Sequence, residues 1–269
     1  MPRDAQGWAA WFGSAEIPVL SSTAADIEEM LQHEDDIDAH WIAGQIGNDP
    51  LMSLKLLAHV ALQPLRRRIT DAETVTEALV MLGIGPFFRA FGVLQTVDDK
   101  LAAQPEALAG LNGVLRRAMR AASFALGFAV HRMDHDAPVI HEAALLHDFA
   151  EMLLWCHAPT LALEVRRRQQ ADPTLRSAEA QLAVLGVALA DLQQMLMKAW
   201  RLPELLVRIS DDQKADTAQV RNVLLAIRLA RHTALGWDNP AVPDDVSEIA
   251  ALLNLGEVPT RKLLLELDE

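Results

Sequence analysis

ALLHDFAEMLL, residues 144 to 154, sets an adjacent His147 and Asp148 in an otherwise apolar stretch. Leu145, Phe149 and Met152 recur at i, i+4, i+7, and Leu146, Leu153 and Leu154 widen the same side, which predicts a largely buried helix. Two ionisable groups placed there without partners would cost about a few kcal/mol. Successive helical residues point about 100° apart, so His147 and Asp148 can lean toward one ion lying against that flank. For an isolated pair, one hydrogen-bonded histidine and one solvated aspartate is the simpler reading, and the surrounding sequence decides between the two.

Immediately upstream, apolar residues recur so densely from Gly113 to Met133 that a nearly enclosed helix is expected. Its small residues Ala118, Ala122, Ser123 and Gly127 would let another helix approach closely. DHDAP, residues 134 to 138, reads as a loop, with Pro138 near the start of the helix that follows. Downstream, Arg166 to Ser177 is a polar junction containing Pro173. Ala178 to Trp200 then reads as one long helix, or two collinear ones interrupted near Gly186, ended by Arg201, Leu202 and Pro203.

Further toward the N-terminus, NDPLMSLKLLAHV (48 to 60) is the clearest helix start: Asp49 caps and Pro50 suits the first helical position. Its core face is Leu51, Leu54, Leu57 or Ala58, and Ala61. In ITDAETVTEALVMLG (69 to 83), Thr70 or Asp71 is the expected cap and Gly83 the stop, with Val75, Ala78, Leu79 and Leu82 as the apolar stripe. Gly85 and Pro86 mark a break before a helix carrying Phe87, Phe88, Phe91 and Leu94, and residues 98 to 112 read as a polar connection. In IPVLSSTAADIEEML (17 to 31), Pro18 keeps the chain extended, the Ser and Thr residues offer cap oxygens, and Ile27, Met30 and Leu31 form a helical stripe. Residues 1 to 16 carry Trp8, Trp11 and Phe12 at helical spacing, an amphipathic helix expected to dock on the body. A membrane anchor fits less well, because no Lys/Arg-rich face accompanies the aromatics.

At the C-terminus, helices are expected at Thr217 to His232, at Asp244 to Leu253 with an acidic cap, and at Thr260 to Leu267 after Pro259, with Gly236 to Pro243 as a loop. With 269 residues the chain can bury about three quarters of its unfolded surface. A single cysteine, Cys156, excludes an internal disulfide, and no signal sequence or apolar run of the ~18 residues needed to span a bilayer appears, so a soluble cytoplasmic protein is expected. Acidic residues outnumber basic ones 37 to 24, a net charge of -13, which opposes general nucleic-acid binding. Abundant Ala and Leu without alternating β-branched runs predict an all-α fold.

Taken in chain order, these pieces resemble the HDOD family, the HD-related output domains of bacterial signalling proteins. IPVLSSTA resembles the family's opening proline-containing segment, NDPLMSLKLLAHV its Asp-Pro helix, and RRRITDAETVTEALVMLG its Ile-Thr helix closed by Leu-Gly. ALLHDFAEMLL resembles its Gly-Leu-Leu-His-Asp segment, and WRLP (200 to 203) its Trp-x-Leu-Pro signature. The resemblance implies an HD-domain-like orthogonal bundle over residues 17 to 213 in two packed portions, roughly 17 to 110 and 111 to 213. Residues 1 to 16 precede it as the amphipathic segment, and 214 to 269 are helices packed back on it.

The departures bear on function. Active HD-domain phosphohydrolases bind metal through a His on an earlier helix, the His-Asp pair and a later Asp. Here no histidine lies between His59 and His131, and the helix that should supply the first ligand has Arg and Ala at the matching positions. The family's glycines in the central motif are Ala144 and Ala150, its Lys is Glu151, and a histidine common in members is Leu189. The paired histidines after WRLP are replaced by Ser210, Asp211, Asp212 and Gln213. His147 and Asp148 alone are two ligands where catalytic zinc uses three and dinuclear centres more. Asp191 is a weak candidate for the later acid, with helix-surface solvation the simpler role. Glu151 suits a local pair with His147.

The resemblance therefore implies a non-catalytic signalling or scaffolding domain with a vestigial HD pair, no metal or cofactor, and protein partners. The alternatives are a metal-dependent phosphohydrolase of a nucleotide or cyclic dinucleotide, seeded by His147, Asp148 and Asp191, or a small-ligand sensor using the old pocket. His131 and His135 have zinc-compatible i, i+4 spacing only if their helix continues, so His131, His135 and His141 read as solvated or capping. Arg66 to Arg68 and Arg166 to Arg168 read as wet surface, with a phosphate-bearing ligand as the lesser reading. Cys156 reads as core. In the absence of an ion, Asp148 is expected to be buried and paired with Arg116, Arg117 or Arg120.

Overall fold

Helix follows helix along the chain. A computed structural model describes residues 1–2, 4–63, 71–172, 174–214 and 216–268. The order is α1 (Ala5–Ser14), α2 (Ser21–Leu31), α3 (Ala39–Ile46), α4 (Pro50–Leu62), α5 (Val75–Leu82), α6 (Ile84–Phe91), α7 (Val97–Leu101), the long α8 (Pro105–His131), α9 (Ala137–Leu145), α10 (Phe149–His157), α11 (Pro159–Ala171), α12 (Ser177–Leu185), α13 (Leu189–Ala199), α14 (Glu204–Ile209), α15 (Ala218–His232), α16 (Val242–Leu253) and α17 (Glu257–Leu267). Among the described residues no β-strand forms, and extended backbone meets only as an isolated parallel bridge between Val19 and Thr96. No single described helix is long and apolar enough to cross a membrane.

The chain divides into two compact units, Met1–Leu115 with Asp148–Leu202, and Arg116–His147 with Pro203–Glu269. This differs from portions divided near residue 110. Residues 148 to 202 fold with the N-terminal part, because α10 packs on α4, α7 and α13.

Within the first unit, α4 is buried along nearly its whole length, as a helix made of Leu, Met, Ala and Val with few charges must be. Asp49 caps it: Oδ1 accepts from the amides of Leu51 (2.9 Å) and Met52 (3.1 Å), while Oδ2 accepts from the amide of Leu20 at 2.8 Å. The expected cap is present, and the same carboxylate also pins the extended 17–20 segment. Neither Ser nor Thr caps α2; Leu20 holds that position, and the Ser21 hydroxyl bonds to Asp98 instead. Of the α2 stripe, Ile27 and Met30 are buried and Leu31 is exposed.

Several boundaries move. Thr70 lies outside the described residues. The cap of α5 is Thr74 rather than Asp71: Thr74 Oγ1 accepts from Glu77 N (3.3 Å), and Glu77 Oε2 reaches back to accept from Glu73 N (2.7 Å), the amide before the cap. Gly83, at φ 83°, ends α5 as expected, but α6 starts at Ile84 and absorbs Gly85 and Pro86 into its first turn, where a proline's missing N–H is harmless. The presumed connection 98 to 112 is mostly helical: Thr96 caps α7, and α8 begins at Pro105. The Arg166 to Ser177 junction is half helix, since α11 runs on to Ala171 with its arginines exposed. α12 and α13 are not collinear. Gly186 takes a left-handed conformation at the end of α12, and the two helices bend by 73°.

α13 ends in a Schellman motif. Leu202 N donates to Met197 O (2.9 Å) and Arg201 N to Lys198 O (3.1 Å), with Arg201 at φ 56°. α8 ends the same way with Met133 at φ 57°. α8 is less enclosed than expected, because Arg116, Ser123, Leu126 and Val130 are exposed.

In the second unit, Gly127 of α8 lies against Leu267 of α17, so closely that a Cβ there would collide with the leucine side chain. Arg120 binds the end of α17, with Nε and Nη2 donating to Asp268 at 2.7 and 2.8 Å and Nη2 also to Thr233 Oγ1 at 2.9 Å. α15 spans nearly the expected helix, with Thr217, its expected first residue, serving as the cap. α16 begins two residues before Asp244, at Val242 with Pro243 in its first turn, and Asp245 is buried against Arg228 (2.6 Å) and His232 (2.6 Å) rather than capping. α17 starts at Glu257 and takes Pro259 into its first turn.

Candidate functional site

Residues 144 to 154 do not form one helix. α9 stops at Leu145, Leu146 to Asp148 form a turn, and α10 begins at Phe149. Apolar residues on both sides remain buried, which is why periodicity ran unbroken across the turn. His147 and Asp148 thus stand at a helix junction.

His147 is largely buried, its side chain 10% exposed, and its Nε2 lies 2.8 Å from Oδ1 of Asp212, which is 44% exposed. An ionised carboxylate only accepts, so the proton of this bond sits on Nε2. Asp212 opens a short 3-10 turn, Asp212–Lys214. Asp148 occupies the N-cap position of α10, where its carbonyl accepts from Glu151 N (3.0 Å) and Met152 N (3.1 Å), but its side chain does not cap. It is half-buried, which corrects the expectation of a buried carboxylate. Arg120, one of its three expected partners, is spent on Asp268, Thr233 and the carbonyl of Ala230, and Arg116 is exposed. Glu151 accepts from Trp155 Nε1 at 3.3 Å.

These residues do not fit the metal centre of the wider superfamily. The bond to Asp212 occupies Nε2 of His147, so a ligating lone pair on this ring would have to come from Nδ1. Among the described residues no three His, Cys, Asp or Glu side chains are grouped to hold an ion. Asp191 is exposed in the first turn of α13. His131 ends α8 and His135 lies beyond the left-handed Met133, so their i, i+4 spacing does not persist on one helix face. Burial lowers the pKa of His141. Arg166, Arg167 and Arg168 are exposed, with Arg168 bonded to Glu164 at 3.0 Å, and Arg66 to Arg68 lie outside the described residues. Burial pushes the Cys156 thiol up to about 12, which makes it inert core.

The partner that sequence reasoning missed is Asp212. Its signal was its place after WRLP, where the family carries paired histidines; the acids there read as losses, yet one of them meets His147.

The HDOD domain family model matches residues 17–215. Among solved structures, the MmoQ response regulator from Methylococcus capsulatus str. Bath is similar with a TM-score of 0.72 at 18% identity, over 94% of this chain and 99% of its own. A virulence factor from Campylobacter jejuni subsp. jejuni is similar with a TM-score of 0.68 at 17% identity, over 98% and 95%. An HDOD domain protein from Geobacter sulfurreducens has a TM-score of 0.51 at 17% identity, over 97% and 96%. No curated protein matches. At these identities the structures bear on the fold alone, which is all-α and HD-domain-like. The family match extends over most of the sequence and takes in the Asp-Pro helix, the His147–Asp148 turn and the WRLP cap: the chain belongs to the HDOD family.

Proposed function

We propose that this chain is a non-catalytic signal-transduction or scaffolding domain that acts through contacts with partner proteins, its HD pair retained as a structural joint. The observation that carries this reading is the bond between His147 Nε2 and Asp212 Oδ1 at 2.8 Å, which gives the histidine a partner within the protein and leaves it a single ring nitrogen, Nδ1, for any ion. The sequence supports it from another direction, because the helix before the pair offers arginines and alanines where a superfamily metal site needs a histidine. Family membership supports the signalling half. The net charge of -13 directs the domain toward proteins rather than nucleic acid.

The test is elemental analysis of the purified protein. The reading expects iron, manganese and zinc far below one ion per chain in both the wild type and His147→Ala. Near-stoichiometric metal that is lost in His147→Ala would overturn it and restore the phosphohydrolase reading.

A further inference from the structure

In the second unit, α8 turns an apolar stripe to solvent. Met119, Ser123, Leu126, Val130 and, just past the helix end, Met133 recur at steps of four, three, four and three residues, the spacing of a seam that one helix offers to another. Exposure rises along it: Leu126 is 37% exposed, Val130 61% and Met133 84%. Met133 keeps a large apolar side chain in solvent on left-handed backbone, φ 57°, where glycine would be unstrained. Leu267 of α17 lies over Gly127, beside Leu126 and Val130, and widens the same surface. The patch is on the order of a few hundred Å², the size at which exposed apolar surface marks an interaction site.

We propose that this stripe is the contact between two copies of the chain, paired antiparallel about a two-fold axis that crosses α8 near Leu126 and Val130. It goes beyond the signalling reading and stands without it.

The charges at the two ends of the stripe select a second copy as the occupant. Arg116, seven residues before Ser123, is exposed and has no ion-pair partner among the described residues. At the other end Asp136 is bonded to the neutral Gln219 at 2.6 Å, so its charge is not cancelled. A two-fold axis across the stripe sets the arginine end of each copy toward the acidic end of the other, and does so twice. Parallel pairing would instead set arginine beside arginine and acid beside acid. The stripe is complementary to itself in one direction only. The small Ser123 lets the second helix come close, and the apolar side chains on either side of it supply the affinity, while the end charges fix the direction.

The experiment is sedimentation velocity on the full chain over micromolar concentrations, where a reversible monomer–dimer equilibrium is expected. Val130→Glu should keep the wild-type far-UV circular dichroism and weaken the dimer by about a hundredfold or more, because two carboxylates would be enclosed in apolar contact. Val80→Glu, at a position 62% exposed on α5, should leave the equilibrium unchanged. Arg116→Glu and Asp136→Lys should each weaken the dimer alone, and mixing the two proteins should restore it, because the mixed pair recovers both end contacts. Leu126→Cys should form a covalent dimer on mild oxidation, since the chain's own Cys156 is buried, and Val80→Cys should not. A chain that stays monomeric throughout would overturn the proposal and leave the stripe to a different protein. A dimer indifferent to Val130→Glu, mixed charge variants that associate no better than either alone, or equal cross-linking at positions 126 and 80 would also overturn it. Metal content, which decides the reading above, is independent of every one of these outcomes.

Discussion

One carboxylate of Asp49 serves two elements, ending the free amides of α4 and holding the backbone of Leu20 in front of α2. Burial raises its pKa above 3.8, against the bonds from Leu20, Met52, Thr23 and Leu51 that lower it. The folded state therefore holds that proton more tightly than the unfolded chain, and this group's contribution to stability falls as pH rises through the raised value. Asp49→Asn keeps an acceptor for Leu51 and Met52 but turns an amide N–H toward Leu20 N–H, so a loss of about 1–3 kcal/mol is expected in denaturant melts. An unchanged midpoint would remove Asp49 from this role. His157 titrates in the opposite sense. Burial, and then Lys100, bring it down from 6.5 to about 4, against the opposing effect of Glu16. On acidification the unfolded chain gains this proton first, so stability is complete above pH 6.5 and declines toward pH 4. His157→Gln should flatten the melting temperature over that window relative to wild type, and an equal slope in both would contradict the assignment. The pair at His147 was only half legible at this scale: sequence placed the histidine, but no periodicity joins it to an acid 65 residues away.

Elements were most legible where the start and stop signals are side chains with one local job. Asp49-Pro50 caps as read, and Gly83 stops α5. Reading failed where the chain turns without changing composition. Leu146 to Asp148 interrupts a continuous apolar run, and Gly186 redirects α12 into α13 through a single left-handed residue inside what resembles one helix. Prolines misled in the same direction each time: Pro86, Pro243 and Pro259 sit inside first turns, where no amide is needed, so the helices begin earlier than the prolines implied. Helix contacts separate two glycines that look alike in sequence. Gly127 is occupied by Leu267 of α17, whereas Gly44 of α3 faces open space. Gly44→Ala should stabilise the protein by about 0.5–1 kcal/mol through helix propensity. Gly127→Ala should instead destabilise it by about 1–3 kcal/mol and make the last turn of α17 easier to proteolyse, because the leucine must move. Stabilisation at both positions would show that the α8–α17 approach is looser than described.

For the whole molecule, composition was enough to give the all-α class, and motif order was enough to give the family. Division into units was not legible, because residues 148 to 202 rejoin the N-terminal part and 203 to 269 join residues 116 to 147, and nothing local announces such exchanges. The HD pair falls at one of these crossings, with His147 closing one segment and Asp148 opening the next. In the proposed reading the pair serves structure: His147 is held by Asp212 inside the second unit, and the carbonyl of Asp148 accepts the first amides of α10. The direct measurement is thermal unfolding of His147→Ala and Asp212→Ala beside wild type, with added manganese or zinc and again with chelator. Each variant should lose about 1 kcal/mol, a few degrees in melting temperature, by the same amount in every condition. A loss seen only when wild type is loaded with metal, and abolished by chelator, would contradict the account.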